Sequence, residues 1–470
     1  MIYGRTKSLT RKVKAMCPVI RIKDTIDRLA SHSGIVHIGT LLEKTDFKSR
    51  LDNFDGVRFE QRQFSHSDVL FSMIGLLSIA KPDYDAIELF RPKADFFNLA
   101  LGISGCPSAV TLRQRIDLLG HSVEPILAEE SAKLVKTMAP ALTPIETGCG
   151  PFVPLDIDVS PFDNSKTKKE GVSRTYKGCD GYAPIFAYLG AEGYLVNLQL
   201  RNGSQHCQNG TPEFIAQTIG YVRQITPAPV LMRLDSGNDS QDNFADVQHD
   251  NVDFIIKRNL RRESPMVWLD LARRCGEPVA TRNGKRVWIG KTTVGLNGQP
   301  LPHPIIFKVI ERIIDKKGQR LVFPEIEVQT FWCSLVDMPA REVIALYHDH
   351  GTSEQYHSEL KTDMDIERLP IGHFASNSLV LHLAMLTYNA LRIIGQQSLE
   401  EARRRGVKLP GSRLSKHVER RRIRTVIQDL MYMAGRLIYR GRQWYIGFGC
   451  LNPFAELWRL IDTRLRGAAA

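Results

Sequence analysis

Two runs of strand pattern, each carrying carboxylates, constrain this chain most. Phe152-Val-Pro-Leu-Asp156-Ile-Asp158-Val-Ser160 alternates. Val153, Leu155, Ile157 and Val159 point one way, and Asp156, Asp158 and Ser160 the other, because successive strand side chains take opposite faces. Pro229-Val-Leu-Met-Arg-Leu-Asp235 is apolar almost throughout, the pattern of a strand covered on both faces inside a sheet. It stops at Ser236-Gly237-Asn238, a turn.

The neighbouring segments extend this pattern. Gly181–Tyr188 and Gly193–Arg201 read as strands, and the tight connection from Gly190 to Gly193 makes them a hairpin. Thr211–Ile225 reads as a helix with Pro in its first turn. Asn251–Lys257 is a further strand. Three antiparallel strands, a helix, a strand, a helix and a strand are the order of an RNase H-like α/β core. Residues 261–340 interrupt it with alternating runs and turn pairs at Asn283-Gly, Asn297-Gly and Lys317-Gly, a β-rich insertion. A helix from about Ser353 and an apolar helix over about Ser376–Ile394 return to the core.

The expected organisation is a basic N-terminal module (1–65), a helical region (66–148), the core (149–260 and 341–395), the insertion (261–340) and a basic C-terminal region (396–470). In the helical region, Ala94–Gly102 is followed by a break at Gly105-Cys-Pro107. A second helix opens at Ser108 and carries Arg113 and Arg115. This pair reads as a helix-turn-helix that contacts DNA or as a hairpin packed in a bundle.

Charge is unevenly placed. The net charge is +12; residues 1–50 hold 11 Lys/Arg against 4 Asp/Glu, and 401–470 hold 16 against 5, which leaves 51–400 at −6. Basic ends around an acidic middle suit a polyanion partner and a metal-binding core. In the C-terminal region Arg403, Arg404, Arg420 and Arg421 are the expected DNA contacts. The 8 Cys form no CxxC pair and no zinc spacing, so they read as reduced, mostly buried thiols. The start MIYGRTKSLTRKVK lacks the apolar stretch of a signal peptide, and no run approaches the roughly 18 apolar residues of a membrane span. The expectation is a cytoplasmic, nucleoid-associated protein with no membrane partner. No GxxxxGK[ST] loop is present, which argues against nucleotide hydrolysis.

The chemistry gathers at Tyr347-His-Asp-His350-Gly-Thr-Ser-Glu354, followed by Lys361. Thr352 and Ser353 are cap residues for a helix that opens just before Glu354, and Lys361 lies two turns on, on the same face. A late helix that crosses the two carboxylate strands would bring Glu354 to Asp235 and to Asp156 or Asp158, which share a strand face. Three carboxylates without a His/Cys cluster suit two Mg²⁺ or Mn²⁺ ions in phosphodiester chemistry.

This set resembles bacterial insertion-sequence transposases of the DDE type that carry a Tyr-Arg-Glu-Lys signature, most of all the thirteen-eighty group. Leu155-Asp-Ile-Asp158-Val-Ser160 resembles the first motif and selects Asp158 over Asp156; Arg233-Leu-Asp235-Ser-Gly237 resembles the second. Tyr347, Glu354 and Lys361 match the third at its spacing, and Tyr182-Ala-Pro-Ile, Lys257-Arg-Asn259 and Phe374-Ala-Ser-Asn377 add to it. The likeness covers about 150–395 well. It implies a transposase that binds terminal inverted repeats, cleaves the ends and joins the 3′-hydroxyls to target DNA. Two Mg²⁺ (or Mn²⁺) would be held by Asp158, Asp235 and Glu354, with Tyr347, His350 and Lys361 on the DNA and a homodimer in the synaptic complex. His350 departs from the family's Arg, and as a phosphate ligand it would need a proton. A transposase-derived DNA-binding protein without activity and a structure-specific nuclease of the same core are the alternatives.

Overall fold

The computed structural model describes residues 24–57, 63–244, 247, 251–315, 317–406, 418–449 and 451–467. Most of the basic start, including Cys17-Pro-Val-Ile-Arg-Ile, lies outside these residues. A short strand β1 (Leu29–Ala30) leads into α1 (Ile35–Leu42), α2 (Phe47–Asp52), α3 (His66–Leu77), α4 (Asp95–Leu101), α5 (Ala109–Leu119) and α6 (Glu124–Met138). Local chemistry sets two of these starts. The Ser65 hydroxyl accepts from the Asp68 N–H while the Asp68 carboxylate accepts from the Ser65 N–H, a reciprocal cap. Ser108 caps α5 by accepting from the Thr111 N–H.

The sheet region follows as β2 (Ile145–Thr147), β3 (Gly150–Val159), β4 (Phe162–Asp163), β5 (Ser173–Arg174), β6 (Asp180–Tyr182), β7 (Ile185–Leu189) and β8 (Tyr194–Gln199). The single strand expected over Gly181–Tyr188 is divided at Pro184, which has no N–H to give a ladder. Its first part joins a small sheet with β4 and β5, and its second part joins the main sheet. Gly190 and Gly193 turn the β7–β8 hairpin with φ of 78° and 72°, and a Cβ on Gly193 would meet the Tyr356 ring at 2.4 Å. Then come α7 (Thr211–Ile225), β9 (Val230–Leu234) and β10 (Val252–Arg258). Among the described residues only 3₁₀ turns at Ser236–Asn238 and Gln241–Asn243 join β9 to β10, where a helix was expected.

The chain continues as α8 (Pro265–Cys275), β11 (Glu277–Val279), β12 (Lys285–Val294), β13 (Pro300–Ile314), β14 (Arg320–Cys333), α9 (Ala340–Asp349), α10 (Ser353–Ser358), α11 (Phe374–Arg405), α12 (Ile423–Val426), β15 (Gly435–Arg440), β16 (Gln443–Gly447) and α13 (Ala455–Gly467). The main sheet runs β11-β12-β13-β14-β10-β9-β3-β7-β8, with β2 on β3. β9 is parallel to both β3 and β10, and the other pairs are antiparallel. The insertion is therefore part of the sheet, because β14 pairs with β10 from Ile255↔Cys333 to Arg258↔Thr330. The molecule is a mixed α/β fold built on one large mixed sheet.

α11 organises the rest. Every residue from Ser376 to Leu399 is buried. A helix apolar all round must be covered on every side. α3, α5, α6, α12 and α13 cover it, together with β8. It is long and apolar enough to cross a membrane, which corrects the expectation that no run approaches such a span, but here its apolar length is wholly enclosed by protein. Its polar residues have matching partners. Asn389 accepts from the Leu195 N–H at 2.9 Å and donates to the Leu195 carbonyl at 2.7 Å, which satisfies the backbone of the edge strand β8. One apolar core holds Ile35 and Leu41 from the N-terminal part and Trp458 and Leu465 from the C-terminal part, and β1 pairs with β15. The described parts of 1–65 and 396–470 thus share one apolar core with the helical region. Among the described cysteines only Cys333 is buried, so the expectation of mostly buried thiols does not hold.

His37 tests this joint core. It is fully buried on α1 against the Trp458 ring of α13, with centroids 4.3 Å apart, and neither ring nitrogen has a hydrogen-bond partner. Burial pushes its pKa down to about 4. The neutral form is the folded one, so this stability is complete above pH 6.5 and is lost as pH falls towards 4, by roughly 3 kcal/mol. Urea unfolding at pH 7 and pH 4 should show that His37→Leu removes this part of the acid sensitivity. An identical pH dependence in variant and wild type would contradict it.

Candidate active site

Asp158 sits near the end of β3 and Asp235 directly after β9. These strands are parallel neighbours with Asp156 beside Arg233 and Ile157 beside Leu234. The same register sets Asp158 beside Asp235. Glu354 lies in the first turn of α10. All three side chains line one cavity, whose wall also holds Tyr347, His357 and Lys361.

The two aspartates differ in state. Asp235 accepts from the Gly237 N–H at 3.1 Å and from Asn238 Nδ2 at 2.9 Å. Burial, and then the like charge of Asp158, still push its pKa up. Asp158 accepts from His357 Nε2 at 3.2 Å and from the Val159 N–H at 2.8 Å. Burial opposes its charge, but the His357 contact and the cationic surroundings outweigh it and hold the pKa down. The charge of Asp158 that raises the proton affinity of Asp235 is what a cation beside the two would relieve. Glu354 is exposed and has no hydrogen-bond partner among the described residues.

The donor set is all carboxylate and suits a hard divalent cation. Among the described residues no three His, Cys, Asp or Glu side chains are already gathered into a metal cage. The residues therefore fit such an ion by donor chemistry: a close Asp158–Asp235 pair, with Glu354 on the wall of the same cavity.

Asp156 has a different place. It is buried, and Arg233 clasps it with Nε to Oδ1 at 2.6 Å and Nη2 to Oδ2 at 2.8 Å. His350 Nδ1 meets the same Oδ1 at 2.9 Å, and Arg233 Nη1 donates to the Leu346 carbonyl at 2.8 Å. Burial works against the charge of His350, but Asp156 outweighs it and raises its pKa. His350, expected on the DNA, is buried and turned inward on a carboxylate, at the edge of the same cavity. Sequence reasoning missed this triad, although Arg233 on a strand otherwise apolar and buried already required a carboxylate beside it.

The helix around Glu354 also differs from its expected form. No cap opens it. α9 runs through a 3₁₀ turn at His350–Thr352 straight into α10 and then into a π turn over Glu359–Asp363. That change of phase stands between Glu354 and Lys361, yet both reach the same cavity. Lys361 Nζ donates to the Pro161 carbonyl at 2.5 Å and lies over the Phe162 ring. Burial lowers its pKa. Tyr347 is half-buried against Phe331, and burial together with Asp235 and Asp158 keeps its phenol protonated.

The other expected DNA contacts divide. Arg113 is exposed on α5 beside the Tyr84 ring. Arg115 is buried on the same helix and donates to the Phe64 carbonyl at 3.2 Å, so it is a packing residue and its assignment to DNA is corrected. Arg420 donates to Glu359 Oε1 at 2.5 Å and to Gln355 at 2.7 Å. Arg421 is buried on Asp429. Both are committed inside the protein, which corrects their reading as DNA contacts. Arg403 reaches the Val418 carbonyl, and Arg404 pairs with Glu401 at 2.7 Å with much of its side chain exposed.

The piggyBac transposase in its synaptic complex with hairpin DNA matches this structure with a TM-score of 0.42 and 9% identity, over 94% of this chain and 83% of that one. A likeness of that size carries no weight for fold or mechanism. Among curated proteins no sequence matches. The model of the transposase DDE domain, group 1, matches residues 15–469, nearly the whole chain. Such domains use divalent metal ions in general. With carboxylates on β3, after β9 and on α10 at one cavity, and that match along its length, the chain belongs to the family of transposases with a group 1 DDE domain.

Proposed function

We propose that this protein is a bacterial insertion-sequence transposase of the Tyr-Arg-Glu-Lys type. In this reading it binds the terminal inverted repeats of its element, cleaves the ends and transfers the 3′-hydroxyls to target DNA. The observation that carries the reading is the meeting of Asp158, Asp235 and Glu354 at one cavity from three separate elements. The core is read as RNase H-like, supported by antiparallel β8, β7 and β3 followed by parallel β9 and β10.

Asp158, Asp235 and Glu354 would hold two Mg²⁺ or Mn²⁺. Bound there, such ions activate a water or 3′-hydroxyl and stabilise the leaving oxygen of the phosphodiester. Tyr347, protonated, can donate to a phosphate oxygen at the cavity mouth. Lys361 supplies a cation on the same wall. His357 steadies Asp158 from behind. A dimer on paired ends and a place on the nucleoid belong to the same reading.

Replacing Asp158, Asp235 or Glu354 by Ala should lower metal-dependent cleavage of a labelled transposon end by roughly 10³-fold or more, the several kcal/mol a metal centre supplies. DNA binding should persist. Full cleavage in Asp235→Ala would overturn the assignment. A strand-transfer assay with labelled ends separates the readings: joining marks a transposase, cleavage alone a nuclease, and binding alone a protein without activity.

Arg233 should act through position. Arg233→Met leaves Asp156 buried without its main partner, at a cost of about 3–5 kcal/mol in unfolding free energy. The double variant Asp156→Leu/Arg233→Leu should regain much of that stability in chemical denaturation. It should still cleave less than the wild type, because the strands that carry Asp158 and Asp235 lose their common tie. Wild-type cleavage in a stable double variant would show that the triad does not position the site.

A further inference from the structure

The hairpin β15–β16 contributes no residue to the catalytic cavity. Its outer half has a composition that folding does not require. Tyr439 and Trp444 face one another across the strands, with ring centroids 4.7 Å apart, and both are exposed, as is Tyr445. The turn is Gly441-Arg442, and both residues have positive φ, 59° and 61°. That is the geometry of a tight hairpin turn, where Arg at a left-handed position is unfavourable compared with Gly or Asn.

The charges around the hairpin sort into paired and unpaired. Arg436 pairs with Asp27 at 3.1 Å, Arg466 with Asp462 at 3.0 Å and Arg464 with Glu400 at 2.7 Å. Arg440 and Arg442 at the tip have no carboxylate partner among the described residues. From Gly435 to Gly467 the chain holds six Arg against Glu456 and Asp462 alone. A cavity along one side of the hairpin is walled by Trp444, Tyr445, Phe96 and Leu99, with Arg459 and Asp462.

Unpaired guanidinium groups beside water-exposed aromatic rings, here tilted at 46° to one another, are the chemistry that holds a nucleic-acid strand. Arginine takes backbone phosphates, and an exposed indole takes an unstacked base. A second copy of this chain is the poorer occupant, because an isologous contact needs a self-complementary patch and residues 435–447 hold three Arg and no carboxylate. We propose that the β15–β16 hairpin is a second DNA-binding element. In it Arg440 and Arg442 contact phosphates, and Trp444, backed by Tyr439, stacks on an unpaired base of a single-stranded or frayed segment. This rests on the transposase reading, and it adds a contact that the catalytic cavity does not make.

The test uses the full chain and two fluorescent probes, a blunt duplex and the same duplex with a single-stranded tail, titrated across a salt series. Arg440→Ala/Arg442→Ala should lower the slope of log affinity against log salt by about two, one unit for each phosphate that the protein no longer neutralises. Trp444→Leu should weaken binding of the tailed probe by roughly tenfold and leave the blunt duplex nearly unchanged, and quenching of tryptophan fluorescence by the tail should diminish with it. Asp235→Ala should keep the wild-type slope and tail preference, which separates this contact from catalysis. The proposal is overturned if the hairpin variants bind both probes with wild-type affinity and slope. It is equally overturned if Trp444→Leu abolishes self-association without changing DNA binding, which would make the hairpin an interface between copies. Absence of DNA binding by the wild type would overturn the functional reading itself, and this one with it.

Discussion

The site depends on one buried carboxylate. Asp156 is held by Arg233 through two hydrogen bonds and by His350 through a third. Each member lies close in sequence to a carboxylate of the cavity: Asp156 two residues before Asp158, Arg233 two before Asp235, and His350 four before Glu354. The ion pair therefore ties β3, β9 and the α9–α10 junction at the level where the three carboxylates emerge. Desolvation of such a group is expensive and is offset only by full pairing. That cost has a structural return, because slippage of either strand by one residue would leave a buried charge without its partner.

A second set of buried charges holds the far side of the same helix. Glu359 is fully buried between Arg392 of α11 and Arg420, and it accepts from the Tyr388 hydroxyl at 3.1 Å. Asp363 pairs with Arg422 at 2.7 Å and with Arg424 at 3.2 Å. These acids open and close the π turn that follows α10. The basic cluster at 420–424 thus pins the segment between Glu354 and Lys361 to the core helix. A π turn is a local strain that persists where its surroundings over-determine it, and four arginines do so here.

Much of this was legible in the sequence, and the reasons differ by element. The alternating run at 152–160, the apolar run at 229–235 and the buried helix after Phe374 were readable because burial leaves a periodic record. Asp158, Asp235 and Glu354 were readable because short motifs place them at strand and helix ends. The partners of arginines were not readable. A cluster such as Arg420-Arg421-Arg422 looks the same whether it faces phosphate or buried carboxylates, and Glu359 and Asp363 lie about sixty residues away in sequence. The partner of His350 was hidden for a related reason: Asp156 is 194 residues distant, and alternation alone left Asp156 and Asp158 equivalent. The continuity of the insertion with the main sheet was hidden as well, because strand pairing between β10 and β14 spans a connection that contains a helix and three other strands.

The most direct measurement is anomalous diffraction from crystals equilibrated with Mn²⁺. Manganese is expected between the Asp158 and Asp235 carboxylates, within reach of Glu354, with Asp156 still clasped by Arg233 and His350. Manganese on Asp156, or active crystals with no site at Asp158 and Asp235, would contradict the two-aspartate centre.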